Sequence, residues 1–379
     1  MQIKKYTKKD GSTAYMFNVY VGLNAKGKNV YRKRQGFKTS KQAQIALAKL
    51  LEDIEENGLD NKPVVLTFQQ LYDKWLAQHR MNVKPSTIAL NRRFVEGHVL
   101  PYLGECKLSE ITVLQCQDLV NKWFNQGYKQ YPYFRKVTAQ IMRYGEAMEI
   151  MNSNPMSKTI LPRAKEEEKK LQYYTKEEMS HFFDCLKDFG NFKQLAFFRL
   201  LAFTGCRKSE ILSLQWKDID LKNNNVSIGK TLALDEFTNI IIQTPKTASS
   251  TRSISLDSET VKIMSKWRTI QRTDYLSMGF NTSSEDQFIF TNIKNELYYP
   301  QVVNDWLKYL IKKYKLPVIT PHHFRHSHAS LLLQAGVPVK EVSERLGHKD
   351  VKITLEIYSH VMPEEAEKTA DKFAQFVGF

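Results

Sequence analysis

The stretch PHHFRHSHAS, residues 321–330, places four histidines and one arginine within ten positions. Six of the nine histidines of the chain lie within residues 322–360. The leading proline and the run LLLQAG that follows predict a helix that begins here and ends near Gly336. His322 and His326 are four residues apart, so they share one face of such a helix. A metal site, a phosphate site and a solvated helix all fit this pattern.

Composition narrows the class of protein. The chain has 379 residues, of which 42% are hydrophobic, which is enough for two or three domains with ordinary cores. Its four cysteines show no zinc-finger spacing, and no signal peptide or long apolar span is present, so we expect a reduced, soluble, cytoplasmic protein without a membrane segment. The net charge of +16 favours a polyanionic partner, and nucleic acid fits better than lipid because no long basic amphipathic helix occurs.

The positive charge is concentrated at the N-terminus. Residues 1–50 contain twelve Lys and Arg and one acid, whereas residues 51–60 contain five acids and no base. Alternating Tyr15, Phe17, Val19 and Val21 and the returning segment VYRKRQGF (30–37) predict a basic β-hairpin, and a helix that begins at Ser40 and ends at Gly58 follows it. Its candidate DNA contacts are Arg32, Lys33 and Arg34, with a merely solubilising charged face as the alternative.

A helical region follows. Residues 61–65 predict a linker, and Thr67 with Gln70 predicts a capping box that starts about four helices before residue 155. No catalytic set is evident in this region, and its candidate phosphate contacts are Arg92, Arg93 and Arg135. A proline and a dense run of charges within residues 157–170 predict an exposed joint between two domains. The predicted boundaries are domains at 1–62, 63–160 and 173–379, with a linker at 161–172.

The last domain carries the chemistry. Thr175 and Glu178 predict a capping box, and an apolar helix at 192–203 runs into a Thr-Gly pair before Arg207 opens a new helix. An arginine near a helix N-terminus suits an anion. Segments 223–232, 238–247 and 251–256 predict short strands, with Lys246 in a turn.

Metal and phosphate make opposite demands on the histidine cluster. His322 and His326, with His348 as a third ligand, have a spacing that zinc sites use. Arg325 would then project near the ligands, where a fixed cation opposes a divalent ion, so we predict no metal site. A phosphodiester uses that arginine instead, because guanidinium groups bind its oxygens in bidentate fashion and imidazoles can donate to the same oxygens.

Five features together resemble a known family. In order and spacing, TGCRKSEILSL (204–214), Lys246, HHFRH (322–326), LGH (346–348) and Tyr358 resemble the tyrosine recombinases, or phage integrases. The resemblance implies that Arg207 and Arg325 bind phosphate, with His322 and His348 completing the cradle. It also implies that Lys246 is the general acid, Tyr358 the nucleophile and Glu210 a support for Arg207. Phe324 departs from the aliphatic residue that is common before the arginine.

The resemblance extends over nearly the whole chain, towards integrases of conjugative transposons and temperate phages. It implies a multidomain α+β protein: an arm-site DNA-binding domain of one small sheet and a helix, a helical SAM-like core-binding domain, and a mainly α catalytic domain with a small antiparallel sheet. The implied function is to integrate and excise a mobile element through a 3′-phosphotyrosine intermediate and a Holliday junction. The implied partners are double-stranded DNA with core and arm sites, a homotetramer on that DNA, an excisionase and a host DNA-bending protein, in the nucleoid of a bacterial host.

The chemistry explains these residue types. A phenol has a pKa near 10, so it needs an electropositive site that stabilises the phenolate and the phosphorane. One ester replaces another, so no metal, nucleotide or other cofactor is required. Two alternatives remain: a type IB topoisomerase that relaxes DNA by similar chemistry, and a DNA-binding regulator without catalysis. The separate basic front domain and the tail at 363–379 favour the integrase.

Overall fold

The computed structural model describes residues 3–8, 11–23, 29–57, 66–163, 172–244, 250–358 and 376–378. The chain divides into two compact units. The first comprises residues 1–75 and 98–160, and the second comprises residues 76–97 and 161–379. The predicted class, multidomain α+β with mostly helical structure, is confirmed. Within the described residues, no helix combines the length and the apolar character that crossing a membrane requires.

The first unit begins with a three-stranded antiparallel sheet and one helix. These are β1 (Lys4–Thr7), β2 (Thr13–Leu23), β3 (Asn29–Phe37) and α1 (Ser40–Asn57), with strand order β1-β2-β3. The hairpin and the helix were predicted, whereas β1 was not, because the segment KKYT has no apolar alternation. Phe17 and Val19 are buried against Ala43 and Leu50 of α1, as the pattern of β2 predicts.

The pairing of β2 with β3 places the three basic residues of β3 on two different faces of the sheet. Lys33 is opposite Asn18, on the outer face that also carries the exposed pair Tyr20 and Tyr31. Arg34 is opposite Phe17, and Arg32 is opposite Val19, so both arginines are on the face that packs against α1. All three basic side chains are exposed.

Five helices and one π-helical turn follow. They are α2 (Phe68–Asn82), α3 (Pro85–Phe94), the π turn (Val95–Val99), α4 (Leu100–Leu103), α5 (Val113–Asn125) and α6 (Tyr131–Ala147). The predicted capping box is present, because the Thr67 N–H donates to Gln70 and the Gln70 N–H donates to the Thr67 hydroxyl. Trp123 and Phe134 are buried in the core of the first unit.

The described part of the rest of the second unit is helical with two small sheets. Its helices are α7 (Lys176–Phe189), α8 (Phe192–Thr204), α9 (Lys208–Ile211), α10 (Ser258–Ser277), α11 (Gln301–Tyr314), α12 (Pro321–Gln334), α13 (Val339–Leu346) and α14 (Val351–Tyr358). Its strands are β4 (Ile219–Asp220), β5 (Asn225–Ile228), β6 (Thr231–Leu234), β7 (Ile240–Gln243) and β8 (Arg252–Ser255). They form an antiparallel sheet β4-β5-β8 and a separate hairpin β6-β7, where one sheet was predicted.

Two hydrophobic clusters position the site. The larger one surrounds α8, whose residues Phe197, Phe198 and Leu201 are fully buried. The smaller one joins α12, α13 and α14 and includes Leu333, Leu346 and Tyr358. Tyr358 is therefore held in place by packing.

Residues 76–97 belong to the second unit, although the predicted boundary assigns them to the middle domain. Glu236, between β6 and β7, accepts hydrogen bonds from Arg80 and Arg92 at 2.7 Å. Lys84 donates to the Thr244 carbonyl at 2.6 Å. These contacts explain the grouping, and the domain boundaries drawn from the sequence remain predictions.

Candidate active site

The four histidines of α12 lie in different environments. His322, Arg325 and His326 recur at helical spacing, and all three line one cavity. His323 is used at the start of the helix, where its Nδ1 accepts the Thr320 backbone N–H at 3.2 Å. The capping role explains why His323 does not line this cavity.

His328 is a core residue. Its ring donates from Nδ1 to the Ala202 carbonyl at 2.9 Å, and its Nε2 accepts from Arg345 Nε at 3.0 Å. Burial, reinforced by the Arg345 charge, lowers the pKa of His328 to about 3. The ring is therefore neutral, and it joins α12 to the end of α8.

Arg325 is one of the most deeply buried charged residues, with 2% of its surface exposed. It donates from Nη1 to the Gly205 carbonyl at 3.0 Å and from Nη2 to the Leu346 carbonyl at 2.7 Å. Both carbonyls lie where a helix ends, so the guanidinium satisfies groups that have no partner within their helices. Burial, and then the Arg207 charge, lower the pKa of Arg325 to about 10. The group remains a cation at neutral pH.

Gly205 makes this arrangement possible. It ends α8 in the left-handed region, with φ 65°. A Cβ atom at this position would lie 2.7 Å from the His328 ring and 2.9 Å from the Leu346 side chain. Glycine is therefore required both for the backbone conformation and for the close approach of α12 and α13.

Glu210 holds the side chain of Arg207. Its carboxylate accepts from Arg207 Nη1 at 2.9 Å and from Arg252 Nη2 at 2.9 Å. Burial alone would raise the pKa of Glu210, but the hydrogen bond and charge of Arg252, followed by Arg207, lower it below its ordinary value. The predicted supporting role agrees with this geometry, whereas Arg252 was missed because an isolated arginine in a strand carries no local signal.

The helix that follows Arg207 is shorter than predicted. Ile211 and Leu214 are buried, as expected, but α9 has only four residues. Arg207 is the N-cap of α9, as predicted, but a helix of one turn sums few peptide dipoles, so its contribution to anion binding is small. The charge of Arg207, whose side chain is 43% exposed, faces the cavity instead.

One face of α14 holds two more site residues. Thr354, fully buried, hydrogen bonds through its hydroxyl to His348 Nδ1 at 2.8 Å, which leaves Nε2 for a ligand. Burial, and then Arg325 and Arg207, lower the pKa of His348 to about 4. Four residues later, Tyr358 ends the helix on the same side.

The Tyr358 hydroxyl is 2.7 Å from His326 Nδ1. Burial raises the pKa of Tyr358 to about 12, opposed by Arg325. Burial, and then the neighbouring histidines, lower the pKa of His326 to about 4, so both groups are neutral at pH 7. From the sequence, His326 is a candidate only for a metal ligand. Its position next to Arg325, on the face of His322, was the available signal.

The cavity has a volume of about 560 Å³. It brings together Arg207, His322, Arg325, His348 and Tyr358, five of the six catalytic residues predicted from the sequence. The sixth, Lys246, lies outside the described residues, as do most residues of the tail. Among the residues that the structure describes, no group of three or more His, Cys, Asp or Glu is arranged to hold a metal ion.

The predicted DNA contacts of the helical region have protein partners. Arg92 is bound by Glu96 at 2.8 Å and by Glu236, so it would have to release Glu236 to reach a phosphate with that nitrogen. Arg135 donates to the Ser157 and Thr159 carbonyls, which explains it as a structural residue. Arg93 is exposed and stacks on Phe94. Their roles on DNA remain predictions.

Comparison with known proteins identifies the family of this chain. Residues 172–365, just over half of the chain, match the phage integrase family. The chain belongs to the phage integrase family. Residues 67–124 match the N-terminal SAM-like domain of phage integrases, and residues 2–54 match an arm DNA-binding domain. This family member is a tyrosine-type site-specific DNA recombinase.

Relatives match along most of their length. The ICEBs1 integrase of Bacillus subtilis strain 168 is 28% identical over 362 residues, which cover 94% of this chain and 96% of that protein. The integrase of Staphylococcus phage L54a is 28% identical over 353 residues, covering 85% and 98%. The transposase from transposon Tn916 of Enterococcus faecalis is 26% identical over 338 residues, covering 83% and 78%.

Solved structures share the fold. The Tn1549 transposon integrase in complex with transposon right end DNA has a TM-score of 0.66 and 23% identity, covering 82% of this chain and all of that chain. A lambda integrase tetramer bound to a Holliday junction has a TM-score of 0.57 and 16% identity, covering 93% and 94%.

Proposed function

We propose that the cavity binds one phosphodiester of double-stranded DNA and cleaves it through Tyr358. The observation that carries this proposal is the placement of the Tyr358 hydroxyl in one cavity with Arg207 and Arg325. Two guanidinium groups can bind the non-bridging oxygens, and His322 and His348 can donate to them as negative charge builds up.

The cleavage step exchanges one phosphoester bond for another. The Tyr358 oxygen attacks phosphorus and loses its proton, and the bond between phosphorus and the 5′-oxygen breaks. The products are a 3′-phosphotyrosine ester and a 5′-hydroxyl. A buried phenol with a pKa of about 12 is a poor nucleophile, so stabilisation of developing charge by the arginines is needed. Rejoining is the reverse step with a different 5′-hydroxyl, and it needs no external energy.

Lys246 is proposed to protonate the departing 5′-oxygen. This assignment rests on the resemblance, because Lys246 is outside the described residues. The chain would supply every group of the reaction from its own side chains, with no cofactor.

We further propose that the chain integrates and excises a mobile element. Residues 1–62 would bind arm sites through the basic sheet, and residues 63–160 with 173–379 would bind core sites. A homotetramer would act through a Holliday junction in a bacterial nucleoid, with an excisionase and a host DNA-bending protein as further partners. The names of the relatives, an integrase of ICEBs1 and a transposase of Tn916, support this, and so do the DNA complexes of Tn1549 and lambda integrases.

The nucleophile is tested by Tyr358→Phe, which removes only the hydroxyl. We expect normal DNA affinity by gel shift and no SDS-resistant protein–DNA adduct, with Tyr309→Phe, an exposed tyrosine of α11, as the control that still forms it. An adduct formed by Tyr358→Phe would place the nucleophile elsewhere. Relaxation of supercoiled DNA without paired sites would favour the topoisomerase instead.

A further inference from the structure

We propose that His326 is a catalytic residue that accepts the Tyr358 proton through Nδ1 as the phenolic oxygen attacks phosphorus. The inference rests on the proposed function, because it assumes that Tyr358 is the nucleophile. The 2.7 Å contact places Nδ1 within reach of the reacting hydroxyl before any DNA is bound.

The fold fixes this contact from both sides. Tyr358 is 1% exposed and packs in the small cluster of α12, α13 and α14. The His326 ring is held edge-on against the His322 ring, with centroids 4.8 Å apart. Neither ring can leave the contact without disturbing its packing, so the hydrogen bond is preorganised.

The surroundings keep His326 able to accept a proton. Its low pKa ensures that the ring is unprotonated at pH 7, so with a proton on Nε2 the Nδ1 lone pair faces the phenol. A bound phosphodiester brings negative charge, which favours the imidazolium and makes His326 a stronger base in the complex. Among the residues that the structure describes, the titratable or charged groups around His326 are His322, His323, Arg325, His348 and Tyr358.

The proton balance closes over the reaction cycle. In cleavage, the O–P bond forms while the phenolic proton moves to Nδ1, and the 5′-oxygen departs with a proton from the general acid. In rejoining, the imidazolium returns that proton to the tyrosine oxygen as the ester bond breaks. Base and acid therefore exchange roles at separate atoms, and no external proton donor is consumed.

The decisive variant is His326→Asn. Its amide can occupy the place of Nδ1 and keep a hydrogen bond, but it has no basicity. The matched control is His323→Gln, on the same helix, because glutamine preserves the capping interaction with Thr320. Both are measured by single-turnover adduct formation at saturating DNA, on a substrate with a 5′-bridging sulfur whose departure needs no general acid.

We expect His326→Asn to form the Tyr358 adduct about 10² to 10⁴ times more slowly at pH 7, with unchanged DNA affinity. Its rate should rise about tenfold per pH unit between about pH 7 and 9, because the phenolate fraction rises tenfold per unit below the tyrosine pKa of about 12. The wild type and His323→Gln should show nearly constant rates over this range.

Parallel pH profiles for the wild type and His326→Asn, or a loss below about tenfold, would overturn the assignment, because a purely structural role changes the rate but not its pH dependence. If His326→Asn does not fold, the wild-type profile decides: a rate that rises tenfold per unit near neutral pH means that no base of low pKa assists. An adduct formed by Tyr358→Phe would overturn the proposed function itself, which distinguishes the two failures.

Discussion

The substitution Glu210→Gln is the strongest test of how the buried carboxylate of Glu210 holds Arg207 and Arg252. The substitution keeps the shape of the side chain and removes its charge. Glu210 Oε2 accepts the Arg207 backbone N–H and Arg252 Nη2, both at 2.9 Å, while Oε1 accepts Arg207 Nη1. A glutamine has one carbonyl oxygen, so it must turn an amide group towards at least one of these donors.

The magnitude follows from burial. The Arg252 and Glu210 side chains are 6% and 5% exposed, and breaking a buried pair by removing one partner costs about 3–5 kcal/mol. The Arg207 half is 43% exposed, so its ion pair adds about 0–1 kcal/mol. Together these terms cost about 3–6 kcal/mol. For a domain of about 200 residues, each kcal/mol lowers the melting temperature by about 2–4 °C, so we expect a loss of roughly 6–24 °C.

The penalty should depend on pH. Because the pKa of Glu210 is lowered in the folded state, its stabilisation is present above the unfolded pKa of about 4.3 and is lost as the pH falls through the folded value. The difference in melting temperature between wild type and Glu210→Gln should therefore shrink in acid.

Thermal and urea unfolding at pH 7 measure this effect, with the exposed Glu344→Gln of α13 as the control. Adding Arg252→Met to Glu210→Gln removes the stranded cation, so the double variant should be more stable than the sum of the single effects predicts, by about 0.5–3 kcal/mol. A loss below about 1 kcal/mol for Glu210→Gln, or strictly additive effects, would refute the view that Glu210 and Arg252 form a coupled buried pair.

Three further outcomes are expected. Lys246→Ala should slow cleavage about 10² to 10⁴ times on an oxygen substrate, because an unprotonated alkoxide leaves poorly, and it should recover on a 5′-thio substrate; an equal deficit on both would remove Lys246 from the catalytic set. Deleting residues 1–62 should abolish tight binding to arm sites in gel shifts while core-site cleavage stays measurable, and equal loss at both sites would contradict the two-site proposal. Gly205→Ala should lower the melting temperature, because its Cβ would lie 2.7 Å from the His328 ring in a left-handed backbone, and unchanged melting would contradict that crowding.

Local sequence patterns predicted helix starts and helix ends well, because these depend on contacts between nearby residues. The capping boxes at Thr67 and Thr175 are present as expected, and α13 ends at Gly347 with φ 70°. These are interactions between residues three or four positions apart, so their geometry is contained in a short segment. Strand β1 was missed because the basic segment KKYT is defined by its pairing with β2.

The sequence by itself identified the family and named the residues that the proposed reaction would use. Arg207, His322, Arg325, His348 and Tyr358 were all named from motif order and spacing, and all five line one cavity. Such motifs are informative because phosphate chemistry restricts each position to few side chains.

Only the tertiary structure decided how those residues are held and which neighbours contact them. Arg252 reaches Glu210 across 42 positions of sequence, and His326 meets Tyr358 across 32 positions. The division of the histidines, with His328 in the core and His326 beside Tyr358, follows from which elements pack against each side of α12. Long-range packing sets these contacts, and a short segment of chain carries no information about what will cover it.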